Sequence, residues 1–127
     1  MKVLLVEDDE PLCEVFSRNI KARGHAITVV NSADEATSSL DAGLPDVMVL
    51  DVSLPDYSGW EVLRRLSDEA RCRLNVVMIS AAPLSRKRIE EFKPAAVLQK
   101  PFPMSALINV IEGAPNTEAI GSLIQRG

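Results

Sequence analysis

No stretch of this 127-residue sequence holds the roughly 18 to 20 consecutive apolar residues that a membrane-spanning helix requires. The first residues, Met1-Lys2-Val3-Leu4-Leu5-Val6-Glu7, meet an acid at once. They lack the longer apolar stretch and small-residue cleavage site of a secretory leader, so a cytosolic (cytoplasmic) protein with no membrane partner is expected. Only two cysteines occur, Cys13 and Cys72, far apart and without a CxxC or Cys/His neighbourhood, which points to reduced thiols in ordinary positions. His25 is the only histidine. It follows Gly24 in a loop, whereas a phosphohistidine needs a helical-bundle setting, so a structural or solvent-facing role is expected. Neither GxGxxG nor GxxxxGK[ST] is present, which leaves a nucleotide-binding domain without support. Basic residues are outnumbered, 14 to 18, and the net charge of -4 disfavours direct nucleic-acid binding, which needs a basic footprint.

What the chain does have is enough apolar content, 46%, for one ordinary globular domain with a single core. Short β-rich runs alternate with helical patterns. The runs are Val3–Val6, Ala26–Val30, Val47–Leu50, Val76–Ile79 and Ala96–Leu98. Four are almost continuously apolar, as strands buried on both faces are; the Ala26 run is the most polar and belongs nearest an edge. Between them, Leu12, Phe16 and Ile20 recur every fourth residue before Arg23-Gly24. Ser32 with Glu35, and Ser58 with Glu61, have the spacing of capping boxes. The first opens a helix ending near Gly43; the second precedes Val62, Leu63 and Leu66, with Trp60 partly packed on that helix. A short segment from Ser85 carries Ile89 and Phe92 and stops at Pro94, and a last helix runs from Pro103 to Ile111. The pattern is (βα)5, an α/β fold with a parallel sheet covered on both faces. The domain is expected over residues 1–113, with residues 114–127 as a tail or linker start in which Ala119, Ile120, Leu123 and Ile124 form a short amphipathic turn or fray.

Ligands of such sheets bind beyond the carboxyl ends of the strands. The first strand runs into Glu7-Asp8-Asp9-Glu10, the third into Asp51, the fourth into Ser80 and the fifth toward Lys100. Acids, a hydroxyl and an amine therefore converge on one edge. Carboxylates this close cannot all stay ionised without a cation, and a hard divalent ion with oxygen ligands, magnesium above all, meets that need. A carboxylate beside such an ion can attack phosphorus and form an aspartyl phosphate, with metal and lysine neutralising the phosphoryl oxygens and Ser80 donating to one of them. Each residue alone has a plainer reading: a solvated acidic loop, a turn aspartate, a strand-end hydroxyl, a surface lysine. Their joint placement at four strand ends makes coincidence a poor account.

The same residues carry a resemblance. Leu4-Leu5-Val6-Glu7-Asp8-Asp9, Pro45-Asp46-Val47-Met48-Val49-Leu50-Asp51, Leu54-Pro55 with Gly59, Ile79-Ser80-Ala81 and Lys100-Pro101-Phe102 together resemble the receiver domain of bacterial two-component response regulators over residues 2–112. The resemblance implies a flavodoxin-like, doubly wound five-stranded sheet of order 2-1-3-4-5. It makes Asp51 the phosphoacceptor, Glu7 and Asp8 the acidic pair that organises magnesium, and Ser53 the donor of a backbone carbonyl to the metal. Ser80 becomes the switch hydroxyl and Lys100 the phosphoryl-binding amine, with Asp9 outside the acidic pair. It further implies a cis bond at Lys100-Pro101 and a turn at Gly59 into the third helix. One departure stands out: the family's common aromatic three residues before the lysine is Val97 here.

The function so implied is a signalling switch that catalyses only its own phosphorylation and dephosphorylation. A sensor histidine kinase or phosphotransfer protein donates the phosphoryl group. An output protein, unidentified, is reached through the fourth predicted helix, the fifth strand and the fifth helix. The alternative is a phosphatase of haloacid-dehalogenase type. It wants an acid two residues after the nucleophile, where this chain has Ser53.

Overall fold

The computed structural model describes residues 1–113. Five strands form one sheet: β1 (Lys2–Val6), β2 (Ala26–Val30), β3 (Val47–Asp51), β4 (Asn75–Ser80) and β5 (Ala96–Gln99). Every pairing is parallel, and the order is β2-β1-β3-β4-β5. Among the described residues there are six helices: α1 (Glu10–Ala22), α2 (Ala33–Ala42), α3 (Gly59–Arg64), α4 (Asp68–Arg73), α5 (Arg86–Phe92) and α6 (Met104–Ile111). The expected doubly wound fold and strand order are those observed. The expected amphipathic turn of the tail lies outside the described residues.

Period-two alternation sorts each strand between two cores. Leu4, Val6, Met48, Leu50, Met78 and Val97 face Ala36, Leu40, Val62, Leu63 and Phe92 of α2, α3 and α5. Val3, Leu5, Val49, Val77, Ile79 and Leu98 face Phe16, Ile20, Leu107 and Ile111 of α1 and α6. Strand β2 lies at an edge and is the least buried strand, as its polarity implied.

Helix α1 starts where Asp9 accepts from the N–H of Leu12, with Pro11 in the first turn. Ser32 caps α2 by accepting from the N–H of Glu35, but the Glu35 carboxylate reaches back to the N–H of Asn31. The box at Ser58 does not form: its side chain makes no cap bond, while its backbone bridges to Ser53. Helix α4 is an addition to the expected five. It buries no residue, so no apolar stripe announces it. It stands on the Ser67 cap and on acids (Asp68, Glu69) in its first turn and bases (Arg71, Arg73) in its last, each matched to the helix dipole. Trp60 is buried rather than partly packed, stacked on Phe92.

At the amino edge of the sheet, His25 has a structural role. Its Nδ1 meets the N-terminal amine of Met1 at 3.1 Å and its Nε2 meets Glu112 at 3.0 Å, while Arg23 holds the other oxygen of Glu112 at 2.8 Å. These two partners, Arg23 first, hold the Glu112 carboxyl down to about 2. No described helix is long and apolar enough to cross a membrane.

Candidate functional site

Because all five strands run the same way, their carboxyl ends deliver the polar residues to one edge. Asp51 and Ser80 are the last residues of β3 and β4; Glu7 follows β1 directly, and Lys100 follows β5. Glu7, Asp51 and Ser80 are the buried polar residues of the described chain, 1%, 3% and 5% exposed. A buried charge needs a partner, and here the partner is Lys100. Its Nζ donates to Glu7 Oε1 and to Asp51 Oδ2, both at 2.6 Å. The second oxygen of Glu7 accepts from the N–H of Asp8 at 3.0 Å, and Asp51 Oδ1 accepts from the N–H of Ser53 at 2.8 Å.

Two carboxylates and one ammonium leave an excess of negative charge. Burial, then the hydrogen bond and repulsion from Asp51, outweigh Lys100 and push the Glu7 carboxyl up to about 7. Burial works against the charge on Lys100, but the bonds to Asp51 and Glu7 win and hold its pKa above the ordinary lysine value. The Cys13 thiol donates to the Glu7 carbonyl at 3.2 Å. Burial, then the nearby acids with Glu7 first, push it up to about 11, so it stays protonated and packs as a small apolar group. Glu7, Asp8 and Asp51 each offer an oxygen, and these oxygens lie within 4.8 Å of one another, with Asp8 exposed to solvent. Oxygen donors from three carboxylates, one of them open to water, are a ligand set that suits magnesium.

Of the residues singled out in the sequence, Glu7, Asp8, Asp51 and Lys100 come together. Ser53 joins them through its N–H on Asp51. Ser80 stands on the same edge but turns to its own loop: its hydroxyl donates to the Ala82 carbonyl at 2.5 Å and accepts from the Ala82 N–H at 3.1 Å. The Lys100-Pro101 bond is cis, as expected. Asp9 serves α1 as its cap, outside the carboxylate cluster. Val97 is buried in β5.

Three further residues shape the site. Gly59 donates to the Val52 carbonyl at 2.7 Å, and a Cβ on it would collide with the Asp51 carbonyl oxygen and lie 3.2 Å from the Leu50 side chain. Its φ is not in the left-handed region, so space rather than conformation demands the glycine. The Asn31 amide donates to the Glu7 carbonyl at 3.0 Å. Asp56 accepts from the N–H groups of Ala33 and Asp34 at 2.9 and 3.0 Å, and these backbone bonds draw its pKa below the ordinary value against a desolvation penalty. Beside the site, a groove of about 410 Å³ is lined by Asp9, Leu12, Phe16, Lys100, Pro101 and Phe102.

Comparison with known proteins places the family and the fold. The family model described as the response regulator receiver domain matches residues 3–112. The phosphate regulon transcriptional regulatory protein PhoB of Rhizobium meliloti is 30% identical over 99% of this chain and 58% of its own length. The transcriptional regulatory protein TrcR of Mycobacterium tuberculosis is 30% identical over 89% of this chain and 44% of its own. The chain thus spans about half the length of the curated relatives it matches. Among solved structures, the receiver domain of the Francisella response regulator 1452 superposes with a TM-score of 0.78 at 26% identity, covering 87% of this chain and 93% of that one. The response regulator TrrA of Thermotoga maritima, solved in complex with Mg(2+)-BeF, has a TM-score of 0.75 at 21% identity, covering 89% and 97%.

Proposed function

This chain belongs to the response regulator receiver domain family, and we propose that within it Asp51 is the phosphoacceptor of a magnesium-dependent signalling switch. The observation that carries the reading is the contact of Lys100 with both Glu7 and Asp51 at 2.6 Å, beside three carboxylates whose oxygens share one small volume. A phosphohistidine on a kinase or phosphotransfer protein is the donor. An oxygen of Asp51 attacks phosphorus, the P–N bond breaks, and the imidazole leaves as an acyl phosphate forms on the aspartate. Hydrolysis of that acyl phosphate by water resets the domain.

The chain's own groups have separable tasks. Glu7, Asp8 and Asp51 supply carboxylate ligands, and Ser53 its carbonyl, to a magnesium ion. Bound there, the ion supplies charge neutralisation for the phosphoryl oxygens. Lys100, already on Asp51 Oδ2, follows that oxygen's charge onto the phosphoryl group. Burial of Asp51 keeps its carboxylate poorly hydrated and its reactive oxygen fixed, the Ser53 N–H holding the other. Ser80 leaves Ala82 and donates to a phosphoryl oxygen, so the 81–83 loop moves with it. The output runs through α5, β5 and α6 to a partner protein. Nucleic-acid binding is not assigned to this domain, although relatives about twice its length are named as transcriptional regulators.

The test is phosphorylation by acetyl phosphate with magnesium, read as the mass of the intact protein. One phosphoryl group is expected on the parent and none on Asp51→Asn. A variant still phosphorylated at another strand end would overturn the assignment.

A further inference from the structure

We infer that Asp56 is a positioning residue of this site, acting with the turn at residues 31–34 as a strut that sets the separation of the two acid-bearing loops. The inference rests on the magnesium reading above and concerns groups that touch neither the cation nor phosphorus.

The loop from Val52 to Ser58 is tied at its base. The Ser53 N–H reaches Asp51 Oδ1 at 2.8 Å, the Gly59 N–H reaches the Val52 carbonyl at 2.7 Å, and Ser53 bridges to Ser58. Its tip would otherwise be an exposed excursion. Instead Pro55 narrows the backbone, and Asp56 next to it spends both carboxylate oxygens on the first two amides of α2, at 2.9 and 3.0 Å. Those amides have no partner within their own helix, and the helix's own cap, Ser32, reaches only the N–H of Glu35. An acid from a distant loop thus completes the helix start, where the dipole favours it.

The residue before the Ser32 cap works in the opposite direction. The Asn31 side-chain amide donates to the Glu7 carbonyl at 3.0 Å, at the start of the other acid loop. Three residues of one turn, Asn31, Ala33 and Asp34, therefore grip both loops at once. Arg65 reinforces the same side, bonding Asp34 at 2.9 Å while its guanidinium lies 4.7 Å from the centre of the Tyr57 ring. Ligand sets are tuned by the groups that orient them, and this strut orients two loops together. Releasing it lets the loops drift apart and weakens the hold on the cation, while the reacting groups themselves are unchanged.

The experiment titrates magnesium into the full chain by calorimetry, for the parent, Asp56→Ala, Asp56→Asn and Asn31→Ala. It also follows acetyl phosphate phosphorylation against magnesium concentration. Asp56→Ala is expected to weaken magnesium about tenfold, the lower end of what removing a ligand-orienting group does. Asp56→Asn, which keeps one acceptor oxygen, falls between. At saturating magnesium the phosphorylation rate returns to within about twofold of the parent, a split that loss of fold would not produce. Without metal, amides 52–58 of Asp56→Ala exchange faster. Should Asp56→Ala fail to fold, Asp56→Asn and Asn31→Ala carry the same test. Parent-like magnesium affinity in the folded variants, whatever their melting temperatures, overturns the inference alone. A parent that neither binds magnesium nor takes a phosphoryl group overturns the functional reading and this inference with it.

Discussion

The indole of Trp60 stacks on the ring of Phe92, their centroids 5.1 Å apart and their planes 19° from parallel. The contact joins the first turn of α3 to the last residue of α5. The guanidiniums of Arg64 and Arg71 lie 5.3 and 5.0 Å from the same Phe92 ring, and Arg71 also donates to the Phe92 carbonyl at 2.6 Å. Phe92→Ala removes all of the ring's contacts and is expected to cost about 3 to 5 kcal/mol of unfolding free energy. Chemical denaturation measures it, and Trp60, the sole tryptophan, reports the loss directly in its fluorescence. A cost below about 1 kcal/mol would show that the site collapses around the missing ring.

Gly59→Ala places a methyl group against the Asp51 carbonyl oxygen, which belongs to rigid backbone and cannot rotate away. The end of β3 must shift, at an expected cost of about 1 to 3 kcal/mol. Because Asp51 itself moves, the phosphorylation rate should fall as well. A variant with parent-like stability and rate would mean that the α3 start gives way instead.

The Glu112 carboxyl, drawn from an ordinary 4.5 to about 2, gives stability a definite pH dependence. A depressed folded-state pKa contributes stability that is present above the unfolded value and lost as pH falls through the folded one. Glu112→Gln should therefore lower the denaturation midpoint at about pH 7, and the gap between variant and parent should shrink as pH falls from about 4.5 toward 2. Gaps of equal size at about pH 7 and pH 3 would rule out the contacts with Arg23 and His25 as the source.

The signal should pass through the segment after β4. In the state described, the Ser80 hydroxyl is committed to Ala82. A phosphoryl oxygen offers it a charge-assisted bond of about 1.5 to 3 kcal/mol, enough to shift two conformers that differ by a few kcal/mol. Helix α5 is poorly made to resist: its first turn is Arg86-Lys87-Arg88 and its last residues include Glu90 and Glu91, the reverse of what the dipole favours. With Val97 offering no ring to swing, hydrogen exchange with a beryllofluoride mimic should change over residues 80–93. Identical exchange there in both states, with changes elsewhere, would place the switch outside this segment.

The strand ends were legible because a parallel sheet makes position along the chain equivalent to position in space: the last polar residue of each apolar run lands on one edge. The edge place of β2 was legible for the same reason, through its polarity. Helix α4 was not, because Asp-Glu-Ala-Arg-Cys-Arg buries no side chain and stands on capping, dipole matching and the contact of Arg71 with Phe92. Asp56 was invisible because its partners, Ala33 and Asp34, lie 23 and 22 residues earlier and offer only backbone. Serine three residues before an acid marks Ser32 and Ser58 alike, yet only Ser32 caps through its side chain; the backbone bridge from Ser58 to Ser53 is a pairing that spacing cannot reveal.

The imidazole of His25 touches both the first amine of the chain and Glu112, so the two ends of the described fold stand one ring's width apart. A strand of five residues, roughly 16 Å long, separates that corner from the edge where Asp51 sits. Met1 and Glu112 therefore share a corner on the edge of the sheet opposite the one that meets a phosphoryl donor. A version shortened to residues 1–113 could be joined end to end by a short linker and cut open at Gly43, where a Cβ would meet nothing within 4 Å, to give a permuted protein with the same reactive edge.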